Sequence, residues 1–296
     1  MARTSDPHAA SVKSWLTRAR SSDVHQQRGD FGADADPARM LLTSRVVKTD
    51  ALGGGVSATY VVTLDNGRKA KFSIPPASSD SDGYEGAYMD AAAWDVAKLV
   101  GMDDMVPPTV VRDLAVPVFG RVEVMRGSLA LWQEGETAAK HEMSGSFENH
   151  IEKVFDGEED LQRAAMFDYI IGNADRHEGN WVVDKATGKI RLIDHNISFV
   201  ENQRDIYSEF LDRIQMKTVV RGREMLLHPL SSQSPARFAE PYRAKKSQIL
   251  AKLGRSGLSP AKLAAVAERI DHAATVADWA DLMGWNDGPS MRDQGS

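Results

Sequence analysis

Three oxygen-bearing side chains follow one another in the second half of the sequence at a spacing that suits phosphoryl transfer. Asp175 is followed by Asn180, and Asp194 comes fourteen residues after Asn180, at the end of the apolar segment KIRLID. Phosphoryl transfer needs a carboxylate that orients or deprotonates the acceptor hydroxyl, and oxygen ligands that hold Mg²⁺ against the phosphates. An Asp, an Asn and a second Asp supply these three groups.

A predicted hairpin explains how the three side chains would meet. The segment WVVD leaves Asn180 as a strand and KIRLID returns to Asp194, with a turn around Thr187-Gly188 between them. Both ends of the hairpin then reach the same mouth of a cleft. Asp and Asn are also common turn and cap residues, which is the alternative interpretation of each one taken singly. The joint pattern favours a site.

These segments also resemble a known family. FDYIIGNADRHEGNW and RLIDHNISF are similar to the catalytic and metal loops of bacterial and phage proteins related to phosphatidylinositol 3-/4-kinases, with HipA-like kinases and actin-fragmin kinase as distant relatives. GGGVSATYVVTLDNGRKAKF resembles their glycine-rich loop and first hairpin, MDAAAWDVAKLVGMDDMVPPTVV their regulatory helix and next strand, and GSLALWQEG their hinge. The resemblance covers about residues 45 to 200. It implies an α+β, bilobal protein-kinase-like fold that uses ATP and Mg²⁺.

The resemblance also implies a role for each residue of this region. By position, Asp175 corresponds to the catalytic base, and Asn180 and Asp194 correspond to the magnesium ligands. Arg176 would support the loop as a structural residue. His177 would brace the loop through hydrogen bonds.

The upstream half departs from the family pattern at two positions. The ATP-pairing lysine is displaced, and strand alternation selects Lys71, with Lys69 as the second candidate. Asp90 stands on the following helix where the family has Glu, and Glu85 is the fallback partner. Because Asp is one methylene shorter, an ion pair with the lysine would need the helix to sit closer. These departures leave open the alternative that the protein is catalytically inactive.

Two segments are candidates for nucleotide contacts. Gly53, Gly54 and Gly55 fit a phosphate-covering loop because TYVVTLDNG continues as a strand, whereas a dinucleotide fingerprint would open a helix. A plain turn between strands is the alternative. Backbone groups from Leu131 to Gln133 could pair with the adenine edge, although a buried core strand would give the same pattern.

Composition limits the classes of function. The chain has 296 residues, 42% apolar content, a formal net charge of -6 and no cysteine, so disulfides and thiolate chemistry are excluded. The negative charge and the lack of a basic run disfavour nucleic acid. No apolar stretch has the length of a membrane span or of a secretory segment, and we expect a cytoplasmic protein.

The predicted organisation has four parts. Residues 1–38 form a mobile arm, residues 39–133 a small β-rich lobe with one helix and the hinge, residues 134–286 a larger helical lobe, and residues 287–296 a flexible tail. The strand pattern begins at Leu41. From about residue 204 onward the pattern is mostly helical and includes a capped helix after Ser259.

The sequence as a whole predicts an ATP- and Mg²⁺-dependent kinase that transfers the γ-phosphate to a hydroxyl, on a protein or on the chain itself. A catalytically degenerate kinase fold that binds a nucleotide or a partner is the first alternative. Transfer of the AMP moiety by the same loops is the second. The oligomeric state and the identity of the acceptor do not follow from the sequence.

Overall fold

The structure is a computed structural model that describes residues 36–52, 58–75, 85–118, 120–143, 159–183, 189–215, 217–220, 223–226 and 233–282. Its buried apolar side chains form two clusters. One lies under a five-stranded sheet, and the other fills the helical part of the chain. This is the predicted α+β architecture with a small β-rich lobe and a larger, mostly helical lobe.

The small lobe is an antiparallel sheet with the strand order β1-β2-β3-β5-β4. Strands β2 and β3 form the predicted hairpin, and its turn ends at Gly67, whose φ of 81° needs a glycine. The five strands are β1 Val46–Leu52, β2 Ala58–Leu64, β3 Lys69–Ile74, β4 Thr109–Val118 and β5 Arg121–Leu131.

A short helix precedes the sheet and corrects the predicted start of the strand pattern. Helix α1 (Pro37–Thr43) includes Leu41, which the sequence pattern assigned to a strand. Asp36 caps its first turn and Pro37 opens it, and both residues favour a helix start. Leu41 is fully buried in the cluster beneath the sheet. Tertiary packing and the cap therefore override the local strand pattern.

Helix α2 (Glu85–Val100) has the predicted position and ends at Gly101, whose φ is 78°. Its buried side chains belong to the larger cluster, together with helices of the large lobe. The helix also contacts β4 and β5. Although the sequence assigned this helix to the small lobe, most of its apolar face completes the core of the large one.

The large lobe consists of helices around a three-stranded sheet of order β6-β7-β8. The predicted hairpin is present as β7 paired antiparallel with β8, while its turn lies outside the described residues. The elements are β6 Glu136–Thr137, α3 Ala138–Met143, α4 Glu159–Ile171, β7 Trp181–Val183, β8 Ile190–Leu192, α5 Glu209–Gln215, α6 Pro235–Arg255, α7 Pro260–Ala273 and α8 Trp279–Leu282.

The expectation of mostly helical structure after residue 204 is wrong in one place. Strands β9 (Lys217–Val220) and β10 (Arg223–Leu226) form an antiparallel hairpin between α5 and α6. The β-branched run Thr218, Val219 and Val220 carries the strand preference that the helical interpretation overlooked. The predicted cap of α7 is confirmed, because the Ser259 hydroxyl accepts a hydrogen bond from the Lys262 N–H at 3.2 Å.

Within the described ranges, no helix is both long and apolar enough to cross a membrane. The predicted arm, tail and glycine-rich loop lie mostly or wholly outside those ranges.

Candidate functional site

A buried ion pair anchors the loop that follows α4. Asp168 on α4 and Arg176 are both fully buried, and Arg176 Nε lies 3.1 Å from Asp168 Oδ2. Asp168 also accepts hydrogen bonds from the Ser208 hydroxyl at 2.8 Å and the Asn173 side-chain amide at 3.2 Å. A buried ion pair is stable only when such extra hydrogen bonds satisfy the remaining polar atoms. We call residues 173–180 the DRH loop.

Arg176 also connects the DRH loop to the segment after β8. Its Nη1 donates to the carbonyl oxygen of Ile193 at 2.6 Å and to the carbonyl oxygen of Asn180. Ile193 N–H in turn donates to Asn180 O at 3.0 Å. We call residues 193–198 the DHN loop. Arg176 is therefore a buried structural support and does not face an open site.

Asp175 of the DRH loop is held by hydrogen bonds from both ends of the loop. Asn173 Oδ1 accepts a hydrogen bond from the Asp175 N–H at 2.9 Å. The Asn180 amide nitrogen donates to the Asp175 carbonyl at 2.7 Å and to Asp175 Oδ2 at 3.2 Å. The Asp175 side chain remains 40% exposed, so its carboxylate can still reach an incoming group.

His177 braces the same loop. Its Nδ1 accepts a hydrogen bond from the Gly179 N–H at 3.0 Å, and its Nε2 lies 3.9 Å from Asp175 Oδ2. A Cβ atom at Gly179 would lie only 2.6 Å from the His177 ring, so this ring position needs the glycine.

Asp194 has the most unusual surroundings of the three oxygen donors. Its backbone φ is 60°, a left-handed conformation that an Asp adopts at a cost of about 1–2 kcal/mol. Its Oδ1 is buried and has no hydrogen-bond partner, while its Oδ2 lies 2.8 Å from Lys71 Nζ. A strained residue with an unsatisfied buried carboxylate oxygen is typical of a binding site.

The oxygen donors fit a hard divalent cation. Because both acceptors on Asp175 can only accept, the Asn180 amide nitrogen must face them, which turns Asn180 Oδ1 the other way. Asn180 Oδ1 and Asp194 Oδ1 are therefore the oxygens of these two side chains that remain available to a cation such as Mg²⁺. This ion is usually bound through one or two protein oxygens together with substrate phosphates and water.

The small lobe contributes Lys71 to this site. Lys71 lies on β3 opposite Val61 and Ala130, and its side chain is 20% exposed. Its ion pair with Asp194 crosses from the small lobe to the DHN loop. The second candidate, Lys69, is exposed at the start of β3. The structure thus places Lys71 in contact with Asp194, whereas Lys69 is exposed to solvent at the start of β3.

The expected ion pair between Lys71 and Asp90 is not formed. Asp90 is buried, and its Oδ1 accepts a hydrogen bond from the His195 N–H at 2.9 Å and lies 3.6 Å from His195 Nδ1. Burial raises the pKa of Asp90, but the hydrogen bonds from His195 and the charge of Lys71 outweigh it, so the pKa is lowered. Burial lowers the pKa of His195. Asp90 therefore binds the DHN loop through the His195 N–H instead of pairing with Lys71.

The fallback partner is also engaged elsewhere, since Glu85 forms an ion pair with Lys262 on α7.

The hinge prediction is met only in part. The Leu131 N–H donates to the Pro108 carbonyl at 2.9 Å, and the Leu131 carbonyl accepts from the Gln133 side-chain amide at 2.9 Å. Both backbone groups of Leu131 are thus used within the chain. The Trp132 N–H also donates within the chain, to the Lys69 carbonyl at 3.1 Å, so the adenine-binding role of residues 131–133 stays a prediction. Gly53, Gly54 and Gly55 lie outside the described residues.

Sequence reasoning missed three residues that shape the site, namely Asp168, Asn173 and His195. A buried Asp inside the apolar face of a predicted helix was a signal for Asp168, because a charge is rarely buried without a partner. Asn173 and His195 carry no such signal, since their roles depend on contacts made in three dimensions.

Three comparisons bear on this arrangement. A sequence model of the family described as phosphatidylinositol 3- and 4-kinase matches residues 141–221, which include the DRH and DHN loops. No curated protein matches the chain. A structure of the Golgi casein kinase shares 14% identity, with a TM-score of 0.50 over 85% of this chain and 76% of that one.

The structure of hydra Fam20 with sugar shares 15% identity, with a TM-score of 0.51 over 82% of this chain and 89% of that one. A second structure of the Golgi casein kinase, with Mn/ADP bound, shares 14% identity over 80% of this chain and 74% of that one. Its TM-score is 0.45. The fold is similar to that of these two kinase-related structures, and the family match falls on the two loops that carry the candidate site.

Proposed function

We propose that this protein is an ATP- and Mg²⁺-dependent kinase that transfers the γ-phosphate of ATP to a hydroxyl group on a protein. The observation that carries the proposal is the contact between Lys71 and Asp194, in which a lysine of the sheet meets a carboxylate with a second, unsatisfied oxygen. A lysine beside a buried carboxylate oxygen that has no hydrogen-bond partner suits a polyphosphate with its bound metal.

Each polar side chain of the site has a distinct task in this reaction. Asp175 accepts a hydrogen bond from the acceptor hydroxyl, orients it towards the γ-phosphate and takes its proton as the new O–P bond forms and the bond to ADP breaks. Lys71 would bind phosphate oxygens, and Asn180 Oδ1 and Asp194 Oδ1 would hold the metal. When bound, Mg²⁺ neutralises the charge of the phosphates. Positioning and charge neutralisation account for most of the rate enhancement in such reactions.

The surroundings of Asp175 favour a protein acceptor over a lipid headgroup. Ala174 N–H donates to the Ile197 carbonyl and Arg176 N–H donates to the Tyr207 carbonyl, so Ile197 and Tyr207 flank Asp175. Their side chains are 49% and 40% exposed. Apolar side chains beside the acceptor position suit a peptide, whereas a phosphorylated headgroup would call for cations.

The proposal is tested by incubating the full chain with ATP labelled at the γ-phosphate, Mg²⁺, a mixture of dephosphorylated proteins and, separately, phosphatidylinositol vesicles. We expect label on protein, including the chain itself, and whole phosphates in its intact mass. Asp175→Asn should remove the transfer while keeping nucleotide binding, because the amide cannot accept the proton. Asp205→Asn, an exposed carboxylate of the same lobe, is the matched control.

Each alternative has its own outcome. Label from the α-phosphate would establish AMP transfer, and label on vesicles alone would establish a lipid kinase. A thermal shift with ATP but neither label nor turnover would establish a catalytically silent nucleotide-binding protein and overturn the proposal.

A further inference from the structure

Arg269 on α7 is a second buried arginine, and it lies far from the DRH loop in sequence. Its side chain is 3% exposed. Nε donates to the Ile170 carbonyl at 3.0 Å and Nη1 donates to the Val200 carbonyl at 2.8 Å. Nη2 is buried and has no hydrogen-bond partner. Two backbone segments therefore share one guanidinium group.

These two segments border the candidate site directly. Ile170 lies in the last turn of α4, just before the DRH loop, and Val200 lies just after the DHN loop. The segments also bind each other, because Phe199 N–H donates to the Ile171 carbonyl at 2.6 Å and Val200 N–H donates to the Gly172 carbonyl at 3.2 Å. Arg269 on α7 binds both segments as well, through the Ile170 and Val200 carbonyl groups.

Gly172 shows how closely the guanidinium fits. Its φ is 59°, and a Cβ atom there would lie 2.8 Å from Arg269 Cζ and Nη2. The Arg269 guanidinium thus packs directly against the backbone of Gly172, immediately after the end of α4. Carbonyl groups at a helix C-terminus lack partners within the helix and carry partial negative charge, so a cation is favourable there.

A second contact from the same face of α7 supports this arrangement. The Tyr169 hydroxyl lies 2.8 Å from His272 Nδ1. Arg269 and His272 are three residues apart and therefore adjacent on the helix surface. Burial lowers the pKa of Arg269 to about 10, which leaves the guanidinium charged at neutral pH.

From this geometry we infer that Arg269 is a positioning residue for phosphoryl transfer: it sets the spacing between the DRH loop, which carries Asp175 and Asn180, and the DHN loop, which carries Asp194. The inference rests on the proposed function. Arg269 also lies outside the residues 141–221 that match the family model, so the large lobe supplies this support from a separate helix.

The test compares Arg269→Met and Arg269→Lys in the full chain with the wild type. Displacing the metal ligands by about 1 Å costs up to about 100-fold in rate. We expect Arg269→Met to lower kcat by about 10- to 100-fold, to change the KM for ATP by less than about 3-fold, and to raise the Mg²⁺ concentration needed for half-maximal rate. Arg269→Lys keeps one carbonyl contact and should recover part of kcat.

Arg112→Met is the matched control. Arg112 is partly buried and, like Arg269, donates a hydrogen bond to a backbone carbonyl, that of Leu41, at 2.7 Å. The substitution should lower thermal stability without changing the Mg²⁺ dependence. If Arg269→Met is folded and has unchanged kcat and Mg²⁺ dependence, or if Arg112→Met changes both to the same extent, the inference is overturned.

Two readouts do not depend on turnover. Arg269→Met should bind Mn²⁺ more weakly than the wild type at a saturating concentration of ADP, and amide hydrogen exchange of residues 173–180 and 193–198 should be faster in the ligand-free variant than in the ligand-free wild type. Unchanged binding and exchange would overturn the role of Arg269 even if the wild type proved inactive. An inactive wild type that still shows both changes would overturn only the kinase proposal.

Discussion

At the scale of single residues, the ion pair of Asp168 and Arg176 carries the largest energetic consequence. Neither side chain has exposed surface, so removing one partner leaves a buried charge without compensation. Arg176→Met should lower the free energy of unfolding by about 3–5 kcal/mol, measured by urea denaturation. The double variant with Asp168→Leu should regain part of the loss.

The exposed pair of Arg126 and Asp113 is the control for this prediction. Arg126 Nε lies 2.8 Å from Asp113 Oδ1, but both side chains are almost half exposed. Arg126→Met should leave stability nearly unchanged. An effect of Arg176→Met no greater than that of Arg126→Met would contradict the buried-charge argument.

Gly179 gives a residue-scale prediction about activity. Its φ does not require a glycine, but a Cβ atom would lie 2.6 Å from His177 Cε1. Gly179→Ala should push the ring away from Asp175 and lower the rate of phosphoryl transfer by about 10-fold, with little loss of stability. Gly254→Ala, where a Cβ atom would meet its nearest neighbour at 3.6 Å, is the control for kinetics and thermal melting.

The sequence predicts three candidate oxygen donors but not the residues that surround them. Asp175, Asn180 and Asp194 are selected because phosphoryl transfer restricts both the types and the spacing of such residues. The contact of Asp90 with the His195 N–H could not be predicted, since it depends on how far α2 approaches the DHN loop. The hydrogen bond from the Gln133 side-chain amide to the Leu131 carbonyl could not be predicted either, because it depends on how the backbone turns after β5.

At the scale of elements, the turn after α2 is tied to α4 by one arginine. Arg163 on α4 donates to both carboxylate oxygens of Asp104, at 2.7 and 3.1 Å, and to the Gly101 carbonyl at 3.2 Å. Burial raises the pKa of Asp104, but its hydrogen bonds and charge contact with Arg163 outweigh it, so the pKa is lowered.

The lowered pKa fixes the sign of a pH effect. A carboxyl whose folded pKa is lowered stabilises the protein above its unfolded pKa of about 4, and this contribution is lost as the pH falls through the folded value. Asp104→Asn should therefore be less stable than the wild type at pH 7 by at most about 1 kcal/mol. In urea titrations this difference should shrink as the pH falls below about 4. A difference that persists there would contradict the assignment.

Element prediction succeeded where caps and turns are local. Ser259 marked the start of α7, Gly101 the end of α2, and the Asp65-Asn66-Gly67 turn joined β2 to β3, because each depends on a few neighbouring residues. The strands β9 and β10 were missed because Lys217 to Leu226 lie between helical patterns. Leu41 was placed in a strand because burial under the sheet is invisible to local periodicity.

At the scale of the whole molecule, helix α2 belongs to the core of the large lobe. Its buried residues pack with α4, α6 and α7 in one cluster, whereas the sheet and α1 form the other. Ion pairs from Lys252 to Asp95 and from Lys262 to Glu85 add to this attachment. The smaller unit is therefore the sheet with α1.

This division predicts a pattern of hydrogen exchange. Amides of α2 should open with the same free energy as those of α4 and α6, while those of β1 and β2 should open at a lower one, because residues of one core unfold together. Exchange measured by mass spectrometry at increasing urea concentrations would show this. Exchange of α2 in step with the sheet would contradict the division.

The attachment of α2 bears on how the protein could be inhibited. Some small molecules inactivate an enzyme by wedging a mobile helix outward and occupying the space behind it. Here α2 buries its own Met89, Ala93 and Val96 in the large apolar cluster, and moving the helix outward would expose that core to water. An inhibitor that binds between Lys71 and Asp194 would instead have to displace their ion pair, which lies at the surface between the sheet and the DHN loop.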